Sequence, residues 1–234
     1  MMRTIKVMEI LPEHALWECA LAYRARLLSV YNSQIMLNQG NELDVLTALR
    51  TATAERHAEL DTRTPLAAAA PDLRAYRAHL QLLEAWLAPV QPTLQLSLQG
   101  QADGPQQALP PRDYLALIRA DLADPALSGL PPAALQPAKP WLQQDDAAYR
   151  WGVAYVVEGS QLGGAVLYKR LAERLAPHPL EYLRGEGSPG PRWQQFLAAL
   201  RAAVVTPAQI EQACQGARQA FDSLIGLLNQ QPAA

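Results

Sequence analysis

The chain is poor in the residues that staple a small protein together or build it from sheet. It has only two cysteines, Cys19 and Cys214, neither in a CxxC pair. A disulfide framework or zinc site is therefore not expected; two buried thiols in a reducing, cytoplasmic setting are. Phenylalanine occurs twice, and valine and isoleucine do not gather into alternating runs. With alanine and leucine dominant, helix is favoured over sheet throughout. Neither sign of charge prevails, with 20 Lys and Arg against 22 Asp and Glu and a net of −2. That balance excludes a general nucleic-acid or acidic-membrane binder. No long apolar run opens the chain, since Glu13, Glu18, Arg24 and Arg26 interrupt it; neither a signal peptide nor a membrane span is expected. Nor does any Glu-x-x-His pair occur, which disfavours a di-iron carboxylate bundle.

What is present in unusual amount is glycine inside a helical pattern. Residues 149–171 read as a helix, with Val153, Val156, Val157, Val166 and Leu167 at helical spacing and Lys169 and Arg170 in the last turn. The same stretch holds Gly152, Gly159, Gly163 and Gly164. Each costs about 1 kcal/mol relative to alanine, roughly 3–4 kcal/mol if summed. Positions 152, 156, 159, 163 and 170 fall on one side, leaving that side almost bare. Such a face suits either close helix–helix packing or a large flat ligand lying against the backbone.

Around it the chain divides into an N-terminal extension, residues 1–40, with a helical segment at 14–31, and a helical domain, residues 41–230, whose size suits one core. A helix capped by Asn41 or Asp44 should end near Thr64-Pro65. Others are expected at 72–90, begun by Asp72 and stopped by Pro89, and at 112–122. Six prolines and glycines between 124 and 140 preclude a long helix there. Asp145-Asp146 is a cap for the glycine-bearing helix rather than a metal site. After Pro177-His-Pro179 and a Gly/Pro loop, Trp193, Phe196, Leu197 and Leu200 mark a helix to about Val204. Thr206-Pro207 opens the last, 207–229.

On the helix beginning at Asp44, Leu46, Leu49, Thr53, His57 and Leu60 share one stripe, so His57 points with the apolar residues. Arg50 lies at the stripe's edge, about 10 Å from His57 along the axis. A lone histidine on such a stripe is usually satisfied by a backbone carbonyl. Its pairing with a bare helix suggests instead an axial nitrogen for heme iron, with Arg50 for the propionates.

Leu49-Arg-Thr-Ala-Thr-Ala-Glu-Arg-His57 with Glu59-Leu-Asp61 resembles the proximal helix of heme oxygenases. Gly159-Ser-Gln-Leu-Gly-Gly164 resembles their distal helix, in wording like the bacterial branch found beside bacteriophytochromes. The resemblance spans roughly residues 44–229. It implies an all-α, single-domain fold with heme between proximal and distal helices. His57 would ligate the metal; Gly159 and Gly163 would bring the distal backbone over the iron, with Gly164 assisting the kink. Heme would be both cofactor and substrate, opened with dioxygen and external electrons to biliverdin, carbon monoxide and ferrous iron. A ferredoxin or a reductase would supply electrons, and a phytochrome would receive the bilin. A heme carrier or sensor on the same fold, or a heme-free helical interaction protein, are the alternatives.

Two positions depart from that pattern. Many members carry aspartate where Ser160 stands, anchoring a proton-delivering water chain; a hydroxyl orients water but holds no charge at neutral pH. Many carry lysine at the position of Ala54. Arg201 and Arg192 are the nearest cations on the penultimate helix for the propionates, and Glu158 is a secondary candidate for proton supply. Tyr168, Lys169 and Arg170 form either a patch for an electron donor or a solvated helix end. His79 is expected at a surface or helix edge. His178, between two prolines in a loop, and His14, in the N-terminal arm, carry no assigned role.

Overall fold

A computed structural model describes residues 44–91, 94, 109, 112–132, 142, 146–185 and 187–230. The chain divides into two units, Met1–Glu42 and Leu43–Ala234. The expected helix at 14–31, with His14 and Cys19, lies outside the described residues.

Eight helices and no strand occur among the described residues. α1 is Val45–Arg63, followed by a 3-10 turn at Pro65–Ala67. α2 is Leu73–Leu87, α3 Tyr114–Ala123, α4 the short Pro125–Ser128 and α5 Ala147–Leu171. α6 is the short Glu181–Arg184, α7 Pro189–Ala203 and α8 Pro207–Leu228. The starts follow local chemistry. The carboxylates of Asp72, Asp113 and Asp146 each accept from the backbone N–H three residues on. Thr206 and Gln209 close a capping box before Pro207 at the first position of α8. α1 stops where Thr64 goes extended before Pro65. Two differences from expectation stand out. α7 starts at Pro189, earlier than Trp193, because proline suits a first turn. α6 is absent from the sequence pattern because it is a single turn held by tertiary bonds.

α8 is a common support: α1, α2 and α5 all pack on it, α5 most extensively. Its buried face runs Ile210, Ala213, Cys214, Ala217, Ala220, Phe221, Leu224 and Leu228. Each fully buried leucine-sized side chain contributes roughly 1.5–3 kcal/mol. Trp86 of α2 donates from Nε1 to the Ala220 carbonyl at 3.1 Å and to Ser223 at 3.0 Å. Arg56 of α1 makes a two-pronged pair with Asp222, at 2.6 and 3.1 Å.

The α5–α8 crossing is closer than any side chain permits. A Cβ built on Gly152 would stand 1.8 Å from the Ala213 carbonyl oxygen, and one on Gly216 would stand 2.0 Å from that of Tyr149. Gly152 therefore belongs to helix packing. Gly163 does not: a Cβ there meets nothing within 4 Å. The single bare face read from the sequence is divided between two uses along its length.

Gly152→Ala and Gly216→Ala are each expected to lower stability by about 3 kcal/mol, because backbone rather than a flexible side chain must move. Gly163→Ala is expected to be neutral or to stabilise by up to about 1 kcal/mol. Urea unfolding of the three variants checks both statements.

Candidate functional site

The apolar stripe of α1 is buried at Val45, Leu46, Leu49 and Thr53, and again at Leu60. His57 interrupts it: its side chain is 55% exposed. The expectation that His57 points inward with the core is corrected. Its ring stands 5.9 Å, centroid to centroid, from that of Phe221 on α8. Its Nδ1 lies 3.2 Å from the Asp61 carboxylate one turn on. That approach favours the proton on Nδ1 and leaves the Nε2 lone pair available, the arrangement by which proteins prepare an imidazole for a metal.

α5 changes character at its middle. Through Glu158 it is almost wholly buried; from Gly159 to Arg170 no residue is. Gly159 itself is roofed by Trp193 of α7, whose ring would stand 3.5 Å from a Cβ placed there. Gly164 faces Leu183, at 3.8 Å from such a Cβ. Gly163, between these covers, faces open space. α1 and α5 pack chiefly on α8, not on each other, and Arg170 of α5 donates to the Leu66 carbonyl just beyond α1. The open side of α5 and the exposed imidazole of α1 thus belong to two helices held apart by a shared support and tied at their C-terminal ends.

Glu158, directly before the glycine turn, is buried and fully engaged. Arg192 of α7 binds it through both ends, at 2.8 and 2.7 Å, and the Tyr114 hydroxyl of α3 donates to it at 2.9 Å. Burial pulls the Arg192 guanidinium down, but the bond to Glu158 and its charge outweigh this and hold it raised. Burial, then the Glu158 charge, raises the Tyr114 phenol. These three side chains clamp α5 to α7 and α3 where the helix leaves the core. They are committed to each other, so Glu158 is not an unpartnered proton source and Arg192 is not an unpaired cation.

The other cations are similarly placed. Arg201 pairs with Asp44, the N-cap of α1, at 3.1 Å; burial tends to raise the Asp44 carboxyl, yet the Arg201 bond and charge hold it below its ordinary value. Arg50 is half-buried on α1. Arg170 serves as a strap to Leu66, and burial lowers it; in the Tyr168-Lys169-Arg170 patch, Tyr168 is half-buried, while Lys169 and Arg170 reach the surface. The Ser160 hydroxyl donates to the Val157 carbonyl at 2.7 Å and accepts from Gln161 at 3.3 Å.

The histidines reverse their expected order of exposure. His79, expected at an edge, is buried on α2 with Nδ1 unpartnered among the described residues. Helical spacing alone does not show that α2 packs against both α8 and α3. His178 is buried too; its Nδ1 accepts from the Leu180 N–H at 3.1 Å, and its ring stands edge-on to Tyr76 at 5.5 Å. That bond holds Leu180 in the left-handed region, at φ 51°, an uncommon state for leucine that full burial stabilises. Sequence reading also missed Asp121, which accepts from the Tyr76 hydroxyl at 2.5 Å and from the backbone N–H groups of Glu181 and Tyr182 at 3.0 and 2.9 Å. No spacing rule connects these residues.

Comparisons agree with this arrangement. The family model described as heme oxygenase matches residues 137–230, from before α5 through α8. A heme oxygenase of Xanthomonas campestris pv. campestris (strain 8004) is 37% identical over 76 residues. That match spans 32% of this chain and 46% of the relative, so the chain covers about half of the curated relative's length. Among solved structures, the NO- and CO-bound heme oxygenase from Neisseria meningitidis superposes with a TM-score of 0.61 at 23% identity. It covers 80% of this chain and 92% of its own. The all-α heme oxygenase fold is therefore present.

Burial drives the His79 imidazole from 6.5 down to about 4. The unfolded chain takes up a proton across that window that the folded chain refuses. Stability should therefore fall as pH is lowered from about 6.5 to about 4, by up to roughly 3 kcal/mol. In His79→Leu the urea midpoint should change less between pH 7 and pH 4.5 than in the parent; an equal change would place the acid sensitivity elsewhere.

Proposed function

We propose that this chain, which matches the heme oxygenase family model over residues 137–230, binds heme between α1 and the open half of α5 and cleaves it oxidatively to biliverdin, carbon monoxide and ferrous iron. One observation carries this reading. An exposed imidazole with Nδ1 held by Asp61 accompanies a helix side that is open at Gly163. The donor set fits heme: one imidazole nitrogen, a helix position open at Gly163 and a cation on the nitrogen's own helix.

Bound heme supplies the iron at which dioxygen is activated and is itself the molecule cleaved. His57 would offer Nε2 to that iron, with Asp61 beside its Nδ1 and Phe221 beside its ring. Arg50 is the cation for the propionates. Gly163, open on its outer side, would let the ring approach the α5 backbone, and Trp193 covers the neighbouring Gly159. Gly164, packed near Leu183, keeps α5 close to α6. The Glu158–Arg192–Tyr114 clamp fixes where the open half begins. Ser160 presents a hydroxyl beside that opening for ordered water. Electrons come from an external donor such as a ferredoxin or a reductase, received near Lys169, and the bilin passes to a phytochrome-type photoreceptor in the cytoplasm. No helix among the described residues is long and apolar enough to cross a membrane.

A second reading, a heme carrier that does not turn over, draws on the Ser160 hydroxyl, whose proton is already given to the Val157 carbonyl. The heme-free interaction protein is less favoured, since helix packing accounts for Gly152 and leaves Gly163 unexplained.

Hemin added to the protein should give a sharp Soret band, with affinity lowered at least about tenfold in His57→Ala. With reductant and dioxygen, a far-red biliverdin band should grow as the Soret band decays; a stable spectrum would favour the carrier. Gly163→Leu should reduce turnover about a hundredfold by displacing the ring from its productive position, and unchanged turnover in that variant would refute the role given to Gly163. Absence of any Soret band in the parent protein would refute heme binding.

A further inference from the structure

The open half of α5 has polar neighbours on the side facing α6. The Tyr182 hydroxyl accepts from Gln161 Nε2 at 3.2 Å, and the same amide nitrogen donates to Ser160 Oγ at 3.3 Å. No carboxylate or carbonyl among the described residues accepts the Tyr182 proton. Its aim is over-determined. The Tyr182 and Glu181 N–H groups are held by Asp121 of α3, which also takes the Tyr76 hydroxyl of α2. The turn before them is fixed by Leu180 bonding to His178. Three elements beyond α6 thus aim one buried phenol at two side chains of α5.

We propose that Tyr182 is a positioning residue for proton supply on the open side of α5, fixing Gln161 and Ser160 so that their polar tips hold the water nearest the ring of a bound heme. The proposal rests on the heme reading above. Activation of dioxygen consumes protons, and the carboxylate nearest in sequence, Glu158, is locked to Arg192 and Tyr114. The groups around the Tyr182 hydroxyl and main chain are Ser160 and Gln161 of α5, Asp121 of α3, Tyr76 of α2, Glu181 on its own helix and His178 in the preceding turn. Burial raises the Tyr182 phenol, and burial with the Asp121 charge raises that of Tyr76. Both phenols therefore stay protonated, and Tyr182 acts as a fixed neutral anchor rather than as a base.

The test uses the full chain loaded with hemin, comparing Tyr182→Phe and Gln161→Met with the parent. Each variant removes a link of the bridge while keeping much of the volume. Hemin affinity and KM should stay within about twofold, since neither side chain is assigned a contact with the ring. The pH midpoint of the ferric visible spectrum should move by about half a unit or more, the scale of one lost hydrogen bond. In the reductant assay kcat should fall about tenfold, and Ser160→Thr, which keeps a hydroxyl, should retain most of it. Unchanged midpoint and kcat in both variants, with the parent binding and cleaving hemin normally, would overturn this proposal alone. If the parent forms no Soret band, this proposal and the heme reading fall together. Should Tyr182→Phe not fold, Gln161→Met carries the same two readouts and decides the matter.

Discussion

The close crossing of α5 on α8 is the constraint on which the arrangement depends. Two glycines, Gly152 and Gly216, each oppose a backbone carbonyl of the other helix at a distance no Cβ survives. Two helix backbones in such contact have little freedom to slide or rotate. α8 carries α1 on another part of its surface, so the crossing also fixes α5 relative to the imidazole of α1. A helix interior that gives up about 1 kcal/mol per glycine receives in return a rigid reference from which the exposed second half projects.

That projection gives α5 two environments in one continuous helix. Its first half is core; its second half is partly covered by Trp193 on one side and by Leu183 and Tyr182 on the other, with Gly163 open between. At the boundary sits Glu158, a buried carboxylate that requires Arg192 and Tyr114 to be there at all, since an unpaired buried charge costs several kcal/mol. The clamp therefore has a directional consequence: the helix leaves the core at one residue, and the opening starts at the next turn.

Four histidines look alike in sequence, and the structure sorts the three that are described by what covers them. His57 sits on an apolar stripe yet is exposed; His79 and His178, given an edge and a loop, are buried. Periodicity reports which residues share a side of a helix. It does not report whether a second helix covers that side, and this alone separates an imidazole available to a ligand from one packed away. The same limit explains Arg201, whose position on α7 suited a propionate and whose partner is Asp44.

The sequence by itself determined the helical class, the helix starts at Asp72, Asp146 and Thr206, and the stop at Thr64-Pro65. These follow from local chemistry: caps, proline geometry and 3.6-residue spacing act within one or two turns. Only the tertiary structure decided that Gly152 serves packing while Gly163 faces open space, that Glu158 is held by Arg192 and Tyr114, and that Tyr182 reaches Gln161 through an anchor at Asp121. Each of those contacts joins residues at least 21 positions apart, or else records the absence of a neighbour. Long-range proximity and open space are both products of how α8 gathers the other helices, and no local pattern encodes them.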